Sequence, residues 1–92
     1  MTRLTDAELH EALAQLPEWS EFDGQIQRTF GFPDFVESIK FVNAVADYAQ
    51  RAQHHPDILI RYNKVTLTVS THDADGVTEK DFALARHADA LI

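Results

Sequence analysis

Two rhythms of apolar spacing take turns along this chain. Leu9, Leu13 and Leu16 recur at helical intervals, and Thr5 with Glu8 forms a capping-box pattern just ahead of them. Asp6 adds negative charge where the helix dipole is positive, and Pro17 stops the run. A short amphipathic helix is therefore expected first. The period then drops to two: Trp19–Phe22 and Gln25–Phe32 flank the turn pair Asp23-Gly24, and Ile26, Arg28 and Phe30 alternate with polar neighbours. Pro33-Asp34 opens the longest helix, with Asp34 and Glu37 resembling a second capping box. From Phe35 to about Gln53 an apolar stripe runs through Phe35, Ile39, Val42, Val45 or Ala46, Ala49 and Ala52, and Phe41, Ala44 and Tyr48 widen it.

Alternation returns after Gln53. Ile58, Ile60 and Tyr62 share one face of a strand; Val65, Leu67 and Val69 share one face of the next, with Thr66, Thr68, Ser70 and His72 on the other. Asn63-Lys64 has the length of a two-residue hairpin loop, and Asn tolerates the positive φ of such turns. That loop sets Tyr62 against Val65, Ile60 against Leu67, Ile58 against Val69 and His55 against His72. Asp73-Ala74-Asp75-Gly76 reads as a loop. Thr78-Glu79-Lys80-Asp81 then caps a last helix whose apolar positions are Phe82, Leu84 or Ala85, Ala88 and Leu91. The order α-β-β-α-β-β-α predicts an α+β domain with a four-stranded antiparallel sheet and helices packed on one face. No repeat, linker or low-complexity run divides the chain, so residues 1–92 are read as a single domain.

Composition narrows the function classes. Apolar residues make up 45% of the chain, which suits a globular core and not a disordered segment. The absence of cysteine removes disulfides, thiolate metal sites and thiol nucleophiles. A net charge of −7 argues against binding the phosphate backbone of a nucleic acid. No signal peptide or membrane-length apolar run is visible, so the expected location is the cytoplasm. Ninety-two residues are enough for a single core but few enough that a partner subunit would help, and the wide stripe of the long helix leaves apolar surface for such contact.

The candidate chemistry lies in the histidines. His54 and His55 follow the end of the long helix, where unsatisfied carbonyls favour a protonated ring, and His72 ends the second hairpin. Imidazoles exchange protons near neutral pH, so three near one hairpin mouth suggest an acid/base site. A zinc site on the same three rings is the alternative, weakened because adjacent side chains in an extended chain point apart. His10 and His87 fall on helices away from this cluster and are expected to face solvent. Asp81 and Lys80 are read as a helix cap and a solvated charge.

Taken together, His54-His55-Pro56, Tyr62-Asn63-Lys64-Val65, Ser70-Thr71-His72 and Leu84-Ala85 resemble the pterin-4a-carbinolamine dehydratase family. Trp19, Arg28-Thr29-Phe30 and Phe32-Pro33-Asp34-Phe35 stand at family-like spacing, as do the intervals from the histidine pair to Tyr62, His72 and Asp81. The resemblance covers nearly all of the chain from Trp19 onward. It implies dehydration of a 4a-hydroxytetrahydropterin to the quinonoid dihydropterin, without metal or redox cofactor, as part of recycling the pterin of aromatic amino-acid hydroxylases. His54, His55 and His72 would be the catalytic acid/base set. Gln53, His54, His55, Ser70, Thr71 and His72 would hold the flat pterin ring. A homodimer or homotetramer, most simply a dimer, is expected from the short chain and the wide stripe of the long helix. Three positions depart from the family: Gln50 and Gln53 stand where acidic residues are common, and Lys80 where Arg is familiar. The alternative on the same fold is a protein-binding or assembly factor in which catalysis is secondary or lost.

Overall fold

A computed structural model describes residues 2–92. Helix α1 (Asp6–Ala14) opens on a complete capping box: Glu8 N–H donates to Thr5 Oγ1 at 3.2 Å and Thr5 N–H to Glu8 Oε1 at 2.9 Å. Strands β1 (Ser20–Phe22) and β2 (Gln25–Gly31) turn at Asp23-Gly24, both in the left-handed region. Helix α2 (Phe35–Ala52), strands β3 (Asp57–Arg61) and β4 (Lys64–Val69), a 3-10 turn at His72–Ala74 and helix α3 (Glu79–Ala90) complete the chain. This is the expected α+β order, and every strand pair is antiparallel. The sheet runs β1-β2-β4-β3, so β2 and β4, one from each hairpin, meet at its centre.

The pleat sorts the two faces. Ile26 and Phe30 of β2 and Val65, Leu67 and Val69 of β4 point under the helices and are buried. They pack with Phe41 and Val45 of α2 and with Phe82, Leu84, Ala85 and Ala88 of α3. Aromatic rings join the layers, with Phe30 and Phe41 centroids 4.6 Å apart and Trp19 edge-on to Phe30 at 6.0 Å. The opposite face is polar: Thr29 Oγ1 meets Thr66 Oγ1 at 2.7 Å and Thr68 Oγ1 donates to Gln27 Oε1 at 3.3 Å. Helices therefore cover one face only, as the alternation of β4 requires.

Three expectations about side-chain placement are corrected. In α2 the buried positions are Ser38, Phe41, Val45 and Ala49, whereas Phe35, Ala46 and Ala52 are exposed. Phe41 stands at the centre of the stripe and not at its margin, because it is drawn between Phe30 and Phe32. Leu91 lies just beyond α3 and is exposed. His87 is half-buried and stacks on Tyr48 at 4.2 Å, tying α3 to α2, while His10 is exposed as expected.

The register of the second hairpin also differs. Ile60 pairs with Val65 and Ile58 with Leu67, two residues from the expected partners, and the loop is Tyr62-Asn63. Asn63 is held by Phe32, just past the end of β2, instead of spending its side chain on a turn. Its Nδ2 donates to Phe32 O at 3.1 Å, and its carbonyl accepts from Phe32 N–H at 2.8 Å. Tyr62 takes the positive φ, 53°. A shift of two keeps each side chain on its expected face, so the core survives. It does remove His55 from the position opposite His72. No helix among the described residues is long and apolar enough to cross a membrane.

Candidate active site

The end of α2 positions the histidine pair. Gln53 adopts φ 54°, and the chain reverses in a Schellman arrangement: Gln53 N–H reaches Gln50 O at 3.3 Å and His54 N–H reaches Ala49 O at 3.0 Å. Most helices place glycine at this left-handed position. Here the Gln53 side chain adds a bond of its own, Nε2 to Gln50 O at 2.7 Å. The reversal turns His54 inward and leaves His55 exposed.

His54 meets a carboxylate inside the protein. Its Nε2 lies 2.5 Å from Asp81 Oδ1, and Asp81 is fully buried. The other carboxylate oxygen accepts from Thr78 N–H at 2.8 Å and from Thr71 Oγ1 at 2.9 Å. Thr71 and Thr78 hydroxyls also touch, at 2.7 Å. A buried carboxylate needs such a set of donors. As a carboxylate Asp81 only accepts, so the His54 nitrogen facing it carries the hydrogen.

Asp81 therefore does two things. It closes the capping box of α3, as the sequence indicates, and it binds both segments expected to form the site: His54 from one, Thr71 from the other. The second part is not visible in Thr78-Glu79-Lys80-Asp81, where the local cap explains the aspartate completely. The available signal was its spacing from His72 in the family resemblance. Lys80 is exposed, as expected for a solvated charge.

The remaining expected residues are spread around this hub. His55 Nε2 lies 3.0 Å from Gln50 Oε1 on the last turn of α2. Ser70, Thr71 and His72 line a recess of about 210 Å³ with Asp23, Gly24, Gln25, Asp75 and Gly76; His54 and His55 are not part of its wall. His72 opens the 3-10 turn and is exposed. A larger hollow, about 930 Å³, lies between the N-terminal segment and Asp73–Val77, and no histidine reaches it. The chemistry is thus located by the histidines and not by volume. Among the described residues, no group of three or more His, Asp or Glu side chains stands close enough to share a metal ion.

Behind the site, Asp89 of α3 ties the helix layer to the first hairpin. Its Oδ1 accepts from Trp19 Nε1 at 2.8 Å and from Arg28 Nη1 at 2.9 Å, while the Arg28 guanidinium lies 4.3 Å over the Phe30 ring. Trp19 and Arg28, both at family-like spacing, serve the scaffold.

Comparisons with known proteins identify the family. The family model for pterin 4 alpha carbinolamine dehydratase matches residues 2–91. The chain belongs to the pterin-4a-carbinolamine dehydratase family. It is 56% identical over 90 residues, 98% of each chain, to a protein of Picosynechococcus sp. provisionally named pterin-4-alpha-carbinolamine dehydratase. A protein of Chloroflexus aurantiacus with the same provisional name is 53% identical over 92 residues, covering 100% of this chain and 99% of its own. Among solved structures, a transcriptional coactivator/pterin dehydratase from Brucella melitensis matches with TM-score 0.94 and 41% identity over 97% of both chains. The family match thus extends over α1 as well as the part from Trp19 onward. In this member of the family, the histidine pair and the Ser70-Thr71-His72 segment are joined through one buried carboxylate.

Proposed function

We propose that the protein is a cytoplasmic 4a-hydroxytetrahydropterin dehydratase that works by histidine acid/base catalysis, as a homodimer or homotetramer. The observation that carries this reading is the Asp81 bridge, which ties the histidine pair and the Ser70–His72 segment to one another in a chain of this family. Gln53, His54 and His55 on one side and Ser70, Thr71 and His72 on the other hold the flat pterin. His54, His55 and His72 supply the acid and the base.

The chemistry needs both. Hydroxide is a poor leaving group, so an acid protonates the 4a-hydroxyl and it departs as water. A base removes the proton from the adjacent ring nitrogen, whose electron pair forms the new C=N bond. No electrons are gained or lost overall. Each proton transfer by a positioned group typically contributes ~10²–10⁴-fold.

The test is stopped-flow decay of the carbinolamine with wild type, His55→Ala and His72→Ala. Wild type should accelerate decay clearly above buffer, and each substitution should slow it by at least ~10²-fold. Both rings are exposed, so the melting temperature should hardly move. Wild-type decay at the buffer rate would remove the enzyme reading and favour a protein-binding or assembly role on this fold.

A further inference from the structure

Gln50 and His55 form a contact whose chemistry is directional. Gln50 Oε1 lies 3.0 Å from His55 Nε2. With the Gln50 amide turned so that its oxygen faces the ring, that oxygen accepts and His55 Nε2 is the nitrogen that carries hydrogen. In a neutral imidazole that leaves Nδ1 as a bare lone pair. Among the described residues, His55 Nδ1 has no hydrogen-bonding partner. The ring is exposed, so the lone pair is open to a ligand.

Gln50 is itself fixed from behind. Its main-chain carbonyl accepts both the Gln53 N–H at 3.3 Å and the Gln53 Nε2 at 2.7 Å, in the reversal that ends α2, which holds the backbone from which the side chain extends. The side chain that orients His55 thus springs from the last ordered turn of a helix, five residues back along the chain. The other two rings stand differently. His54 gives its Nε2 hydrogen to the buried Asp81 and is nearly buried, so it is oriented by a carboxylate and not by an amide. His72 has neither ring nitrogen hydrogen-bonded among the described residues, so nothing selects its tautomer.

We infer that Gln50 is a positioning residue that holds His55 as the Nε2–H tautomer, and that His55 Nδ1 is therefore the base of the dehydration. The base half rests on the function proposed above; the tautomer half does not. In the step itself, Nδ1 takes the ring-nitrogen proton and that N–H bond's electron pair becomes the C=N bond. As that bond forms, the C4a–O bond breaks, its electron pair leaves on the oxygen that the acid protonates, and water departs. The Nε2–H bond to Gln50 stays in place throughout, so the ring need not turn as its charge changes.

Long-range ¹H–¹⁵N correlation spectra of histidine-labelled full-length protein, taken where the rings are neutral, read the tautomer directly. The wild type should show His55 protonated at Nε2. Gln50→Leu should give a mixture of tautomers and lower kcat for carbinolamine decay about tenfold, with KM changed less than about twofold. Gln50→Glu keeps an acceptor at the same place and should restore both the Nε2–H signature and most of kcat. A wild-type ring protonated at Nδ1, or a Gln50→Leu variant with unchanged tautomer and kcat, would overturn the inference while leaving the dehydratase function standing. Wild-type decay no faster than buffer would overturn the base assignment together with that function.

Discussion

At the scale of residues, adjacent histidines have separate environments. His54 is turned inward onto a buried carboxylate, and His55 is turned outward onto a neutral amide. Their substitutions should differ accordingly. His54→Ala leaves Asp81 Oδ1 buried without its donor, a loss of the kind that costs ~1–3 kcal/mol or more when the group is charged. His55→Ala leaves nothing buried and should cost under about 0.5 kcal/mol. Denaturant titrations of the two variants check this, and equal destabilisation would contradict the arrangement. Asp81 shows how a residue can be locally explained and still be incompletely read. The pattern Thr78-Glu79-Lys80-Asp81 accounts for one of its oxygens, and only the fold brings His54 to the other.

At the scale of elements, the caps were legible because they are local. Thr5 with Glu8 and Thr78 with Asp81 make their bonds within one turn, so three residues of spacing determine them. The first cap also carries a pH dependence. The Glu8 carboxylate accepts from the Thr5 backbone N–H and interacts with the Thr5 hydroxyl, which holds its pKa below the usual 4.5. A group whose pKa is lowered on folding contributes stability that is present above the unfolded pKa and is lost as pH falls through the folded one. The start of α1 should therefore fray as the solution is acidified below about pH 4.5, the ordinary value for Glu. Glu8→Gln should remove that dependence. The Thr5 amide chemical shift followed across pH 2–6 (roughly the range spanned by a carboxyl titration) reads it. A titration unchanged by the substitution would count against the box. The second hairpin shows the opposite case. Its register is set by Asn63 bonding across to Phe32, a contact between distant parts of the chain, and local turn preference yields to it.

At the scale of the whole molecule, helices cover one face of the sheet and several large apolar side chains stay outside. Phe35 and Val36 begin α2 in the open, and Leu59, Ile60 and Tyr62 lie exposed on and beside the edge strand β3. A bare strand edge and exposed apolar groups are features that a second subunit commonly covers. An oligomer is the expected state, and sedimentation at micromolar concentration measures it; a monomer there would contradict the expectation. The exposed position of Phe35 sharpens its basis. The sequence placed Phe35 in the stripe against the sheet, whereas the helix turns Phe41 there and leaves Phe35 free.

What the sequence determined by itself was whatever depends on neighbours a few residues apart: the alternation that makes Val65, Leu67 and Val69 one face, the capping boxes, the Asp23-Gly24 turn, and hence the α-β-β-α-β-β-α order. The resemblance of separated motifs added the family, because several spacings agreed together. Tertiary structure decided what depends on partners far along the chain. It chose the face of α2 by packing Phe41 between Phe30 and Phe32, and the hairpin register by tying Asn63 to Phe32. It also placed Asp81 between His54 and Thr71. Each of these rests on contacts between elements that are distant in sequence. That is why the elements could be read from the chain, while the wiring of the site could not.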